Sequence, residues 1–211
     1  YEEYDDWEPQ NFDYSSTPDS TVALWYALAN SMNLPSIDLF FKNGYEKLVS
    51  TCNKMGLPPL REDAPSIALG ALDVSLYEIV RAYGVFATRG QFQDLHLIDK
   101  ITDKNGKLVY QYKTGEPFQT LDSATCQQIT SILQGAINEG TGTRIRTQFG
   151  VEADLAGKTG TAQSNSNAWF VAYTPKIVMG TWVGARSPEV HFSGNLGTGS
   201  TLALPIIGEV L

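Results

Sequence analysis

Two cysteines and two histidines in 211 residues leave little room for metal or thiol chemistry. Neither Cys52 nor Cys126 lies near His96 or His191, so neither a zinc site nor a Cys/His nucleophile is expected. No metal and no cofactor is called for. The two thiols read as separate and mostly buried, although an oxidising compartment would permit pairing. No stripe of lysine and arginine exists to follow phosphates: 15 basic residues stand against 23 acidic ones, a formal charge of −8, which argues against nucleic acid. No apolar run has bilayer length, and no secretory signal pattern is visible.

What is present has the balance of a folded protein, with 42% hydrophobic and 18% charged residues, enough chain for one large or two small domains. Acid is concentrated in Glu2, Glu3, Asp5, Asp6, Glu8 and Asp13, which reads as a solvated leading segment over 1–18. The abrupt, charged start without Met leads us to expect a piece of something longer.

Residues 19–150 read as a mainly helical lobe. Thr21–Met32 has helical rhythm, with Val22, Trp25, Leu28 and Met32 on one side, and Leu34-Pro35 is expected to end it. A second helix is expected over Tyr45–Met55, closed by Gly56. Ser75 and Glu78 have the spacing of a capping box, ahead of Leu76, Ile79, Val80, Tyr83 and Phe86, with Gly90 as the stop. A hairpin near 97–112 turns at Asn105-Gly106. A further helix over Ser123–Asn138 turns Ile129, Ile132, Leu133, Ala136 and Ile137 inward.

The period changes after residue 150. Leu155–Thr161, Ala168–Tyr173 and Ile177–Val183 read as strands, with Thr174-Pro175-Lys176 as a tight turn. A closing helix from about Thr201 to Leu211 takes Ser200 or Thr201 as its cap. The fold class expected is α/β of the α+β type, with 151–211 forming an antiparallel sheet backed by a terminal helix.

Lys-Thr-Gly occurs twice. Lys113-Thr114-Gly115 leads into Glu116-Pro117 and reads as a solvated loop. Lys158-Thr159-Gly160-Thr161 precedes an apolar strand, so Lys158 and Gly160 share one face while Thr159 and Thr161 share the other. A lysine beside hydroxyls can grip a carboxylate and polarise a carbonyl, and Gly160 lets a ligand approach. An edge strand guarded by a lysine is the structural alternative. Ser31-Met32-Asn33 offers a proton-relaying hydroxyl and an amide; its two polar side chains converge only if the helix breaks there. Ordinary capping of a helix end is the alternative. Glu139-Gly140-Thr141-Gly142 follows a helix rather than a strand and lacks the P-loop lysine, so phosphate binding is not expected. Gly194–Ser200 reads as a surface turn.

The ordered set Ser31-Met32-Asn33 then Lys158-Thr159-Gly160 corresponds to two of the three motifs of serine β-lactamases and penicillin-binding proteins. Trp7-Glu8-Pro9-Gln10-Asn11-Phe12-Asp13, Ala27–Pro35, Glu139–Gly142, Gly157–Thr161, Ala168–Pro175 and Gly199–Pro205 extend the likeness. Across essentially its whole length the chain resembles the transpeptidase domain of class A penicillin-binding proteins. The resemblance implies a serine acyltransferase acting on D-Ala-D-Ala stem peptides of peptidoglycan, with β-lactams as substrate mimics. It assigns Ser31 to proton transfer near the leaving group, Asn33 to the substrate amide, and Lys158 to positive potential. Thr159 and Thr161 would bind the terminal carboxylate, and the Thr161 N–H would form half of the oxyanion hole.

Two departures from the family pattern stand out. Asn167 occupies a position commonly acidic in the family, which is expected to weaken a local ion pair. No Ser-x-x-Lys occurs anywhere in the sequence; Ser50-Thr51-Cys52-Asn53-Lys54 has one residue too many. In the family that element precedes the Trp-x-Pro-x-Asn segment. The nucleophile, its lysine and the second oxyanion donor are therefore expected before residue 1, and these 211 residues are expected to be inactive alone. The rivals are a β-lactamase or β-lactam sensor of the same fold, and a non-catalytic peptidoglycan-binding scaffold. The family also implies a place on the outer face of the bacterial cytoplasmic membrane, held by an upstream anchor. Self-association or a retained upstream piece would cover the surface left by the missing helix.

Overall fold

The computed structural model describes residues 7–12, 21–60, 64–187 and 189–211. Most of the acidic leading segment therefore lies outside the described residues; Glu8 within it is exposed.

The first helix, α1 (Leu24–Ala29), is shorter than its periodicity suggested. It ends because Ser31 takes φ +55°, a left-handed conformation that no α-helix continues. Leu34-Pro35 does not end it but lies in the first turn of α2 (Asn33–Asn43). In a first turn the missing proline N–H has no helical partner to lose, so Pro35 starts a helix as readily as it stops one. The buried side of α1 is not the one that carries Trp25 and Leu28. Trp25 is 52% exposed, and the small Ala27 and Ala29 are the buried residues, allowing close packing against α5.

The next expectations hold with small shifts. Helix α3 spans Tyr45–Lys54. A 3₁₀ turn, Pro65–Leu69, leads to α4 (Leu76–Ala87). There the capping box is complete: Glu78 N donates to Ser75 Oγ at 3.2 Å and Ser75 N to Glu78 Oε2 at 2.8 Å. Strand β1 (Gln91–Phe92) follows, then the hairpin β2 (Lys100–Thr102) and β3 (Leu108–Gln111). Asp103 organises the hairpin turn by accepting from Asn105 N and Lys107 N. Strand β4 (Phe118–Gln119) pairs with β1, a two-residue ladder too short to leave a period in the sequence.

Helix α5 spans Ser123–Asn138 as expected, with Leu133, Ala136 and Ile137 buried. Its N-cap is Asp122, which accepts from Thr125 N at 2.8 Å. A short helix, α6 (Arg144–Thr147), had no signal of its own.

The sheet consists of β5 (Ala156–Thr161), β6 (Asn167–Tyr173) and β7 (Val178–Gly184), antiparallel in that spatial order. Central β6 is buried along most of its length, which its unbroken apolar run required. Phe170, Ala168 and Ala172 join Ile137, Ile145, Leu155, Leu204 and Ile207 in the main core. On the other face Tyr173 packs with Leu133, Tyr83 and Phe86 of α5 and α4. The closing helix begins earlier than expected, as a π-helical turn over Gly199–Ala203 that runs into α7 (Leu204–Val210). Neither Ser200 nor Thr201 caps α7; Ala203 precedes it without a side-chain cap.

Candidate active site

β5 is an edge strand of its sheet, and its register decides which groups face outward. Ala162 N donates to Asn167 O at 2.9 Å, and Gly160 and Lys158 pair with Trp169 and Val171. In an antiparallel ladder, alternate residues exchange hydrogen bonds with the neighbour. Gly160 and Lys158 therefore bond to β6, while the backbone groups of Thr159 and Thr161 point to the open edge. An extended peptide can add to that edge as a further strand.

The Lys158 side chain turns to the helical side of the sheet. Its Nζ donates to the Ser31 hydroxyl and, at 3.1 Å, to the Thr159 carbonyl. Burial pushes the Lys158 ammonium down from its ordinary value to about 8. Ser31 reaches it because its left-handed backbone, stabilised by Met32 N donating to Ala27 O at 2.9 Å, throws the chain out of α1 before α2 begins. The break that the Ser-x-Asn reading demanded is thus supplied by Ser31 itself.

Asn33 goes elsewhere. Its Nδ2 donates to Gln10 O at 2.7 Å, while Leu34 N donates to Asn11 Oδ1 at 3.0 Å. The Trp-x-Pro-x-Asn segment is thereby strapped to the first turn of α2, and Asn11 is buried there. Ser31 and Lys158 are brought together; the Asn33 amide nitrogen is committed to the backbone of that segment.

Thr159 and Thr161 lie on the opposite face, as strand alternation requires. Thr161 Oγ1 accepts from Gly199 N at 3.0 Å. This contact explains the glycine: a Cβ at Gly199 would sit 2.4 Å from both the Gly160 and Trp169 carbonyl oxygens. The stretch 194–200, read as a surface turn, is therefore packed inward: Gly199 lies on the strand and Gly197 against Asn165 and Phe192, and both glycines are buried. Thr159 Oγ1 is 2.6 Å from Thr141 Oγ1. Thr141 N in turn donates to Ala29 O at 3.3 Å, and a Cβ at Gly140 would lie 2.2 Å from that same oxygen. The sequence places this loop within the family resemblance and excludes it as a phosphate loop, but assigns it no part in the site. The one available signal was two glycines flanking a threonine after a helix, which marks a close approach without saying to what.

The second Lys-Thr-Gly, at 113–115, is exposed in the loop after β3, with no part in this arrangement. Asn167 uses Oδ1 to accept from Trp182 Nε1 at 2.9 Å, so a neutral hydrogen bond occupies that position. A cleft lined by Pro58, Asp73, Leu76, Ala162, Trp169 and Trp182 borders the far end of β5; neither Ser31 nor Lys158 lines it. Among the described residues no cluster of His, Cys, Asp and Glu could hold a metal ion.

Residues 1–189 match the family model described as the penicillin binding protein transpeptidase domain. The chain is 35% identical over 205 residues to penicillin-binding protein 1A of Aquifex aeolicus and 31% identical over 222 residues to that of Rickettsia typhi. These matches cover 96% and 95% of this chain but 27% of each relative, so it spans about a quarter of their length. Among solved structures, penicillin-binding protein 1A from Haemophilus influenzae superposes with a TM-score of 0.82 at 23% identity, over 97% of this chain and 36% of that one. PonA1 from Mycobacterium tuberculosis, solved in complex with penicillin V, superposes at 0.72 with 21% identity, over 91% of this chain and 56% of the other.

Proposed function

The chain belongs to the penicillin-binding-protein transpeptidase domain family, and on that premise we propose that it builds one wall of a D,D-transpeptidase site. The substrate is a peptidoglycan stem peptide ending in D-Ala-D-Ala. A serine Oγ attacks the carbonyl carbon of the penultimate D-Ala; an ester forms, the peptide bond to the last D-Ala breaks, and that residue leaves with a proton. An amine from a neighbouring stem then attacks the ester, forming the cross-link and freeing the serine. β-Lactams enter the same first step and stay attached.

The observation that carries this reading is the Lys158–Ser31 hydrogen bond beside an open strand edge. Lys158 supplies positive potential and Ser31 relays the proton to the leaving nitrogen. Thr159 and Thr161 receive the substrate carboxylate, and the outward Thr161 N–H serves as one oxyanion donor. Asn33 meets the substrate amide once its bond to Gln10 yields.

The nucleophilic serine and its lysine come from residues outside these 211, since the sequence holds no Ser-x-x-Lys. The chain alone is then inactive, and the longer protein is the enzyme. It works on the outer face of the cytoplasmic membrane, where cross-linking takes place. Among the described residues no helix is long and apolar enough to cross a membrane, so the anchor is assigned to the rest of that protein. Acylation by labelled penicillin tests the reading: the longer protein should react through its Ser-x-x-Lys serine, and the chain alone should not. A β-lactamase would release the label rapidly. A scaffold would never take it up.

A further inference from the structure

We propose that Thr141 is a positioning residue that sets the direction of the Thr159 hydroxyl hydrogen toward an incoming carboxylate. The inference rests on the transpeptidase reading above, because it takes Thr159 as a carboxylate ligand.

A hydroxyl has one hydrogen to give and two lone pairs. At 2.6 Å the two threonine oxygens share one hydrogen bond, and either can be the donor. The two choices have different consequences in the cleft. If Thr159 donates to Thr141, its only hydrogen is spent and it turns a lone pair toward the ligand. If Thr141 donates, the Thr159 hydrogen stays available. A carboxylate accepts only, so it binds the second arrangement and is repelled by the first. Donation by Thr141 also polarises the Thr159 hydroxyl and strengthens what it gives.

The backbone around Thr141 is fastened so that its hydroxyl stays beside Thr159. Its backbone N–H is tied to Ala29 O, and Gly142 N donates to Ala136 O at 2.9 Å, so both sides of the residue are fastened to helices. Gly140 allows the contact with Ala29, where any side chain would collide. Ala29 lies two residues before Ser31 and Thr159 directly follows Lys158. Thr141 therefore spans the two walls that carry the site.

The test uses the longer protein that contains this chain and measures its second-order rate of acylation by benzylpenicillin. Thr141→Val keeps the shape and removes the donor; it is expected to slow acylation about ten-fold, the loss of one hydrogen bond. Thr141→Ser should restore the rate. In a Thr159→Val background, Thr141→Val should have no further effect. An unchanged rate in Thr141→Val, failure of serine to restore it, or an effect that adds to Thr159→Val would each overturn the inference while leaving the transpeptidase reading intact. No acylation of the unsubstituted protein would overturn both.

Discussion

Lys158 Nζ and Ser31 Oγ, 127 residues apart in sequence, are hydrogen-bonded across the junction between the helical side and the sheet. The lysine is partly sequestered from water, and burial holds its ammonium at about 8 against an ordinary 10.5. Below about 8 it carries the positive charge that the proposed function assigns to a substrate carboxylate. Above it, that charge is lost.

A pH dependence follows, and its sign differs for function and stability. Acylation of the longer protein by benzylpenicillin should fall as pH rises through about 8, while Lys158→Met should be slow and lack that inflection. Between about 8 and 10.5 the unfolded chain binds a proton that the folded chain has released, so this group makes stability rise with pH over that window. Lys158→Met should abolish that rise and leave the chain more stable at neutral pH, because no charge is buried. Denaturant unfolding at a series of pH values checks it; a stability that falls across the window would contradict the assignment.

The packing of the 194–200 stretch on β5 makes its own prediction. Gly199→Ala forces a methyl against two backbone carbonyls, so it should cost about 1 to 3 kcal/mol. It should also loosen the Gly199–Thr161 bond, visible as faster amide exchange at Gly199. Gly135→Ala, inside α5 with open space around the new methyl, should be neutral or stabilising by up to about 1 kcal/mol. If the two substitutions unfold alike, the close approach is not what Gly199 provides.

Much of this frame was legible because it is local. The Ser75–Glu78 box, the Ser123–Asn138 helix and the three strands each rest on a period or a cap contained in a few residues. The errors sit where distant contacts decide. Pro35 reads equally as a stop or a start, and only the left-handed turn at Ser31 chooses. Trp25 outweighs Ala27 in any hydrophobicity pattern, yet alanine fits against α5. In the site, alternation along β5 placed Lys158 and Thr159 on opposite faces correctly. The Thr141, Gln10 and Gly199 contacts join segments whose meeting no local pattern encodes.

The caps predict the acid limb of stability. Hydrogen bonds from the Ser75 backbone and side chain hold Glu78 below its ordinary 4.5, and Thr125 does the same for Asp122 below 3.8. Each contribution is present above the unfolded value and lost as pH falls through the lower folded value. Glu78→Gln with Asp122→Asn should therefore flatten the melting temperature against pH as pH falls below the ordinary carboxylate values. An acid limb of unchanged steepness would show that these caps do not govern it.

The central claim is that these residues form half of an acylation site completed by a serine outside the chain. The decisive measurement is intact-mass analysis after incubation with benzylpenicillin, on the chain alone and on the longer protein. The chain alone should gain no adduct. The longer protein should gain one, on its Ser-x-x-Lys serine, slowed strongly by Lys158→Ala and left unchanged by Lys113→Ala in the exposed second Lys-Thr-Gly. An adduct on the chain alone that disappears with Ser31→Ala would contradict the account.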